Sequence, residues 1–159
     1  MRLRALPLAL ALTCMAPLGC SDDDEPSVAP VDGTWNYFEM GVENNTCPEI
    51  IDVIQPSTTF LLDYDGGDAF QIEQFDQMDI ACNLVGGPDF VCPGRLLASF
   101  PNADLNLQLD VYVRIEGSFE NDAAATGLQD VSVECVGDGC GIFDDIPCHY
   151  ELPFRAEAQ

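Results

Sequence analysis

From Leu105 to Ile115 every odd position is apolar (Leu105, Leu107, Leu109, Val111, Val113, Ile115), while the even positions hold Asn106, Gln108, Asp110, Tyr112 and Arg114. A strict period of two over this length predicts a strand with one buried face. The end of the chain repeats the pattern on even positions, with Cys148, Tyr150, Leu152, Phe154 and Ala156 alternating with His149, Glu151, Pro153 and Arg155. Proline cannot donate to a strand ladder, so Pro153 belongs at an edge or a bulge. Val131, Val133 and Cys135 supply a third such face. Thr58, Phe60, Leu62 and Tyr64 alternate up to Asp65-Gly66-Gly67-Asp68, beyond which Phe70 and Ile72 resume. Paired glycines between alternating runs predict a hairpin, because its turn needs positive φ. In residues 33–42, Trp35 and Tyr37 share one parity and Phe38, Met40 and Val42 the other, which predicts a bulge or burial on both faces.

These patterns place about eight strands at 33–42, 58–64, 68–74, 78–83, 89–100 with a break, 105–119, 126–136 and 146–157, and no stretch carries a 3.6-residue apolar stripe. Many short strands separated by turn residues predict an all-β fold. Hairpin-linked antiparallel neighbours favour an up-and-down β-barrel, in which closure removes exposed edges, over a β-sandwich.

The chain before the first strand is of another kind. Basic Met1-Arg2-Leu3-Arg4 leads into an apolar run from Ala5 to Leu18, interrupted by Pro7 and Pro17 and followed by Ser21-Asp22-Asp23-Asp24-Glu25. That is the plan of a secretory signal, and the run falls short of the ~20 apolar residues that span a bilayer. Ala16-Pro17-Leu18-Gly19-Cys20 resembles the lipobox of bacterial lipoproteins, although Pro17 and Leu18 stand where the family has Leu and a small residue. The resemblance implies a signal peptide at 1–19, diacylglyceryl transfer to Cys20 and a membrane partner reached through the lipid, in the bacterial envelope and specifically its outer membrane. Ordinary secretion is the alternative. An anchor of this kind works by additive burial of methylene groups, about 0.8 kcal/mol each, and more than one acyl chain holds firmly. Residues 20–30 then form the anchor and a disordered acidic tether, whose ten residues after Cys20 reach up to about 35 Å at full extension. Residues 31–159 form the β-domain.

Charge narrows the partners. There are 28 acidic residues against 5 basic ones, all arginine, giving a net charge of −23 that becomes two units more negative when Arg2 and Arg4 leave with the leader. Such a field repels nucleic acid, so nucleic acid is not an expected partner. Setting Cys14 and Cys20 aside leaves six cysteines, an even set that in an oxidising compartment is read as disulfides. No Cys-x-x-Cys occurs and His149 is the sole histidine, so neither metal nor cofactor is expected. Six cysteines allow 15 pairings. The Gly86-Gly87-Pro88-Asp89 turn favours Cys82 with Cys92. Cys135 with Cys148, on the apolar faces of the last two strands, leaves Cys47 with Cys140; Cys140 with Cys148 and Cys47 with Cys135 is the rival set.

Few residues carry chemistry. Gly33-Thr34-Trp35 resembles the Gly-x-Trp motif of lipocalins, barrels that hold small apolar ligands, although that family's Thr-Asp-Tyr motif is missing. The resemblance implies that Trp35 closes the barrel floor and packs beneath Arg155; the alternative is that Trp35 is a core aromatic. Asp63-Tyr64-Asp65-Gly66-Gly67-Asp68 lacks calcium-loop spacing and reads as a turn, and Asp138, Asp144 and Asp145 read as a solvated acidic loop. No serine lies in Gly-x-Ser-x-Gly. The sequence therefore points to a non-enzymatic binding or interaction domain, whose partner is a small apolar ligand or another surface protein, with an enzyme of unknown chemistry as the other class.

Overall fold

The computed structural model describes residues 28–47, 59–75 and 78–159. The leader, Cys20 and the acidic tether through Ser27 lie outside them. Eight antiparallel strands follow one another around a closed up-and-down barrel: β1 Gly33–Glu39, β2 Thr59–Asp63, β3 Ala69–Phe75, β4 Met78–Gly86, β5 Asp89–Asn102, β6 Leu107–Asn121, β7 Ala124–Val136 and β8 Cys148–Ala158. One 3-10 turn, η1, spans Asp138–Ile142. Closure is made by β1 against β8, from Trp35 opposite Ala158 to Glu39 opposite Phe154.

Period two sorts the side chains as the sequence predicts. Val111, Val113 and Ile115 on β6, Val131 and Val133 on β7, and Tyr150, Leu152, Phe154 and Ala156 on β8 are all buried. The Gly66-Gly67 turn, with both residues at positive φ, joins β2 to β3. Leu105 departs from its run: β6 begins at Leu107, and Leu105 lies exposed in the β5–β6 turn. In β1 the two apolar parities are not both buried, because Trp35 and Tyr37 point inward while Phe38, Met40 and Val42 are exposed. The irregularity lies beyond the strand. Met40 N–H donates to Pro153 O, and the chain next pairs with β8 at Glu43 and Glu151, so three residues advance on β1 for two on β8. Pro153 sits at this interruption, where a missing N–H costs little.

The interior is a connected set of aromatic rings. Trp35 stacks on Phe60 at 6.2 Å and meets Phe119 edge-on at 6.1 Å; Tyr37 stacks on Phe154 at 5.2 Å and meets Phe75 edge-on at 5.4 Å. Phe60 to Phe75 joins these two groups, and Phe119 continues to Phe70 and Phe90. Two of the rings lie over glycine. Phe90 of β5 stands opposite Gly117 of β6, Gly117 opposite Gly127 of β7, and Gly127 opposite Phe154 of β8. A Cβ on Gly117 would lie 2.5 Å from Phe90 Cζ, and one on Gly127 2.6 Å from Phe154 Cζ. The pair of glycines thus makes room for two rings in an interior otherwise crowded with them. Within it Tyr37 Oη donates to Gln129 Oε1 at 2.9 Å, a buried hydrogen bond that ties β1 to β7 across 92 positions of sequence.

Three disulfides staple the domain: Cys47–Cys148, Cys82–Cys92 and Cys135–Cys140. Cys82–Cys92 is the pair the turn favoured. The other two replace both Cys135–Cys148 with Cys47–Cys140 and the rival set. Cys135 and Cys148 do share an inward parity, but the register places Cys148 opposite Val133, two residues short of Cys135. Cys135 instead meets η1, which folds back over the end of β7. Cys47 reaches Cys148 because Thr46 lies along β8: Thr46 N–H donates to His149 O at 2.9 Å and His149 N–H donates to Thr46 Oγ at 2.9 Å.

The β-domain starts earlier than the sequence suggested. Val28 packs against the core and Pro30 is buried, so residues 28–30, assigned above to the tether, belong to the folded body.

Alanine at Gly117 or Gly127 should lower stability by about 1–3 kcal/mol through overpacking, whereas alanine at Gly94, where an added Cβ meets nothing within 4 Å, should change it by less than about 0.5 kcal/mol. Urea unfolding of the three variants checks the order. Among the disulfides, Cys47–Cys148 closes a loop of 101 residues and Cys135–Cys140 one of 5. Serine at Cys47 and Cys148 should therefore cost about 2–5 kcal/mol and exceed the effect of serine at Cys135 and Cys140, by the entropy of loop closure. Thermal unfolding of the two double variants compares them.

Candidate functional site

Both places where the chain offers a site, the barrel interior and its rims, follow from the strand order. At one end lie the chain's entry at Val28–Asp32, the turns after β2, β4 and β6, and the last residues of β8. We call this end proximal. Val31 N–H donates to Asp122 O, Gln159 N–H to Thr34 O, and Tyr64 N–H to Asp32 Oδ1 at 2.6 Å, so the entering chain is sewn to the proximal turns. At the opposite, distal end lie the chain leaving β1 as far as Cys47, the β7–β8 connection and the β5–β6 turn.

Inside the barrel, the space the lipocalin resemblance would assign to a ligand is occupied. The residual void is about 20 Å³, bounded by Trp35, Tyr37, Phe60, Phe75, Phe119 and Phe154 among other apolar side chains. That volume admits about one water, and a water needs polar partners that these walls do not offer. Trp35 is fully buried against Phe60 and Phe119, and its indole N–H donates to Val31 O at 3.1 Å. Arg155 is not beneath it. On β8 the even positions point inward, so Arg155 points out, half exposed, and pairs with Glu157 at 2.6 Å. The floor expected from Trp35 and Arg155 is therefore not formed; Phe119 fills that role at the proximal end, and no sequence motif marks it.

The other residues singled out in the sequence are dispersed. Asp63–Asp68 forms the proximal turn, held by Tyr64 Oη donating to Gly67 O at 3.1 Å. Asp138 accepts from Asn106 Nδ2 at 3.3 Å, and Asp144 and Asp145 are exposed beyond η1. No cluster of three or more metal-ligating side chains occurs among the described residues. His149 is exposed with Nδ1 at 3.3 Å from Thr46 Oγ, but that hydroxyl also donates to His149 O at 3.1 Å and accepts from His149 N–H, so it locks the loop to β8.

What the sequence did not indicate is the distribution of exposed apolar side chains. Among the described residues, Val31 and Val85 lie proximally, while Phe38, Met40, Val42, Leu96, Phe100, Leu105, Val136 and Ile142 lie on or toward the distal half. A distal groove of about 280 Å³ is lined by Pro101, Asn102, Asn106, Leu107, Gln108 and Val136 among others. Individually such residues pass for ordinary surface leucines and phenylalanines; their gathering is a product of topology. No helix among the described residues is long and apolar enough to cross a membrane. No protein-family model, curated protein or solved structure matches the chain.

Because the interior is filled, titration with a fatty acid or an apolar dye should produce no saturable change in the emission of Trp35, the single tryptophan. Fluorescence at fixed protein concentration measures this, and a saturable response would place a ligand chamber where side chains stand.

Proposed function

We propose that the chain is an exported surface protein of the bacterial envelope, held to the outer membrane through a lipid on Cys20, whose barrel serves as a non-enzymatic interaction domain. One observation carries the choice of an interaction domain over a carrier: the interior retains about 20 Å³, all of it apolar, so binding falls to the outer surface. A carrier would have to part eight interlocked rings before admitting a ligand.

The polarity of the barrel supports the same reading. The entering chain reaches the proximal end, and seven residues separate Cys20 from Val28, about 25 Å at full extension. An anchor there holds the proximal turns toward the lipid and presents the long distal connections and their exposed apolar side chains away from it. The acidic spacer and acidic domain keep that presentation extended from an anionic surface. Three disulfides suit an oxidising compartment.

Mass spectrometry of the protein taken from a host membrane should find the mature N-terminus at Cys20 carrying acyl groups, and Cys20→Ser should move the protein from the membrane fraction to the soluble one. An unmodified N-terminus downstream of Cys20 would falsify the anchor.

A further inference from the structure

The three disulfides differ in what surrounds them. Cys82, Cys92 and Cys148 belong to the core, and Cys47 packs against it. Cys135 and Cys140 do neither: both are partly exposed, five positions apart, at the end of β7 and in η1. Thiol–disulfide exchange needs a thiolate to reach one sulfur of the pair, so access governs which bridge reacts, and exposed bridges are the labile ones. Contact with the core thus shields two bridges and leaves the third open.

That third bridge fastens a weakly held segment. No residue of η1 is buried, and no side chain caps its start. The hydrogen bonds that join it to the β5–β6 turn among the described residues are long: Gly139 N–H donates to Asn106 O at 3.2 Å, and Asn106 Nδ2 donates to Asp138 Oδ2 at 3.3 Å. The fit is nevertheless close, backbone on backbone. A Cβ on Gly139 would fall on Leu105 O, and one on Gly137 would fall on Asn106 O. The bridge therefore presses the chain between its two cysteines onto the turn. The distal groove of about 280 Å³ lies at this contact, lined by Asn102, Asn106 and Gln108 on one side and by Val136 and Gly137, inside the bridge, on the other.

We propose that Cys135–Cys140 is a redox latch on the distal rim. Oxidised, it holds η1 against the β5–β6 turn and keeps the groove; reduced by an exported dithiol protein, it lets both go. One thiolate of the dithiol bonds to Cys140 Sγ, the Cys135–Cys140 bond breaks, and Cys135 leaves as a thiolate that takes up a proton. The second thiol of the reductant then gives up its proton and bonds to the first sulfur, forming the reductant's own disulfide and releasing Cys140 as a thiol. Two electrons and two protons pass to the cysteine pair. Cys47–Cys148 and Cys82–Cys92 stay closed, so the barrel keeps its form. The inference rests on the proposed export for the source of the dithiol protein; a chemical dithiol tests the latch by itself, and its failure leaves acylation at Cys20 untouched.

The full chain, folded and oxidised in detergent, is exposed to increasing dithiothreitol, quenched with iodoacetamide and mapped by peptide mass spectrometry. Cys135 and Cys140 should be labelled at least about tenfold faster than Cys47, Cys82, Cys92 and Cys148. With that pair alone reduced, amide exchange in residues 103–107 and 136–142 should quicken at least about tenfold, while residues 111–115 of β6 stay as slow as before. Reoxidation should restore the original exchange. The double substitution Cys135→Ser with Cys140→Ser should exchange like the reduced protein, with or without dithiothreitol. Equal or earlier labelling of another pair, unchanged exchange in residues 103–107, loosening that spreads to residues 111–115, or no recovery on reoxidation each overturns the proposal. So does a serine variant that exchanges like the oxidised protein.

Discussion

An eight-stranded closed sheet has an interior of nearly fixed cross-section, wide enough for side chains or one small ligand, and in this protein aromatic rings take up all of it. Trp35, Phe60, Phe75, Tyr37 and Phe154 on one side and Phe119, Phe70 and Phe90 on the other form a single contact network. Closure depends on that filling. β1 contributes seven residues and β2 five, too few to hold a seam by backbone hydrogen bonds alone, yet Trp35, Tyr37 and Phe60 commit both short strands to the common interior. The Tyr37–Gln129 hydrogen bond then sets where β1 lies along the sheet, because a slip of one residue in β1 would turn Tyr37 outward and away from Gln129.

Much of this was legible from alternation alone. The parity of Leu107 to Ile115, Val131 to Cys135 and Cys148 to Ala156 carries the inward faces, and the glycine pair at 66 and 67 carries its turn. Parity does not carry register, which is why two cysteines on correct faces of neighbouring strands, Cys135 and Cys148, were matched two residues out of line. Nor does it tell a core aromatic from a motif residue. Trp35 does sit at the end where the chain enters, but its neighbour there is Phe119, since a strand cannot present both Phe154 and Arg155 to the same side.

The strand count also decides which way the domain faces. With an even number of strands and the chain entering at β1, both the entry and the final residue fall at one end, and the β7–β8 connection falls at the other. Two proximal turns are tied to the entering segment by hydrogen bonds, Val31 N–H to Asp122 O and Tyr64 N–H to Asp32 Oδ1, whereas the distal rim is held by two disulfides, Cys47–Cys148 and Cys135–Cys140. Covalent stapling at the rim with the longest loops is where restriction of chain freedom matters most.

The arrangement of Phe90, Gly117, Gly127 and Phe154 across four consecutive strands has an evolutionary corollary. Each ring occupies the volume of an absent side chain on its neighbour, so the four positions form one packing unit rather than four independent sites. A lineage that trades Phe154 for a small residue opens a cavity that enlarging Gly127 cannot fill, because a Cβ there would also meet Glu116 O of the neighbouring strand at 2.4 Å, as one on Gly117 would meet Thr126 O at 2.7 Å. Drift in this barrel should therefore reach Phe90 and Phe154 before it reaches either glycine, which ring and backbone hold in place together.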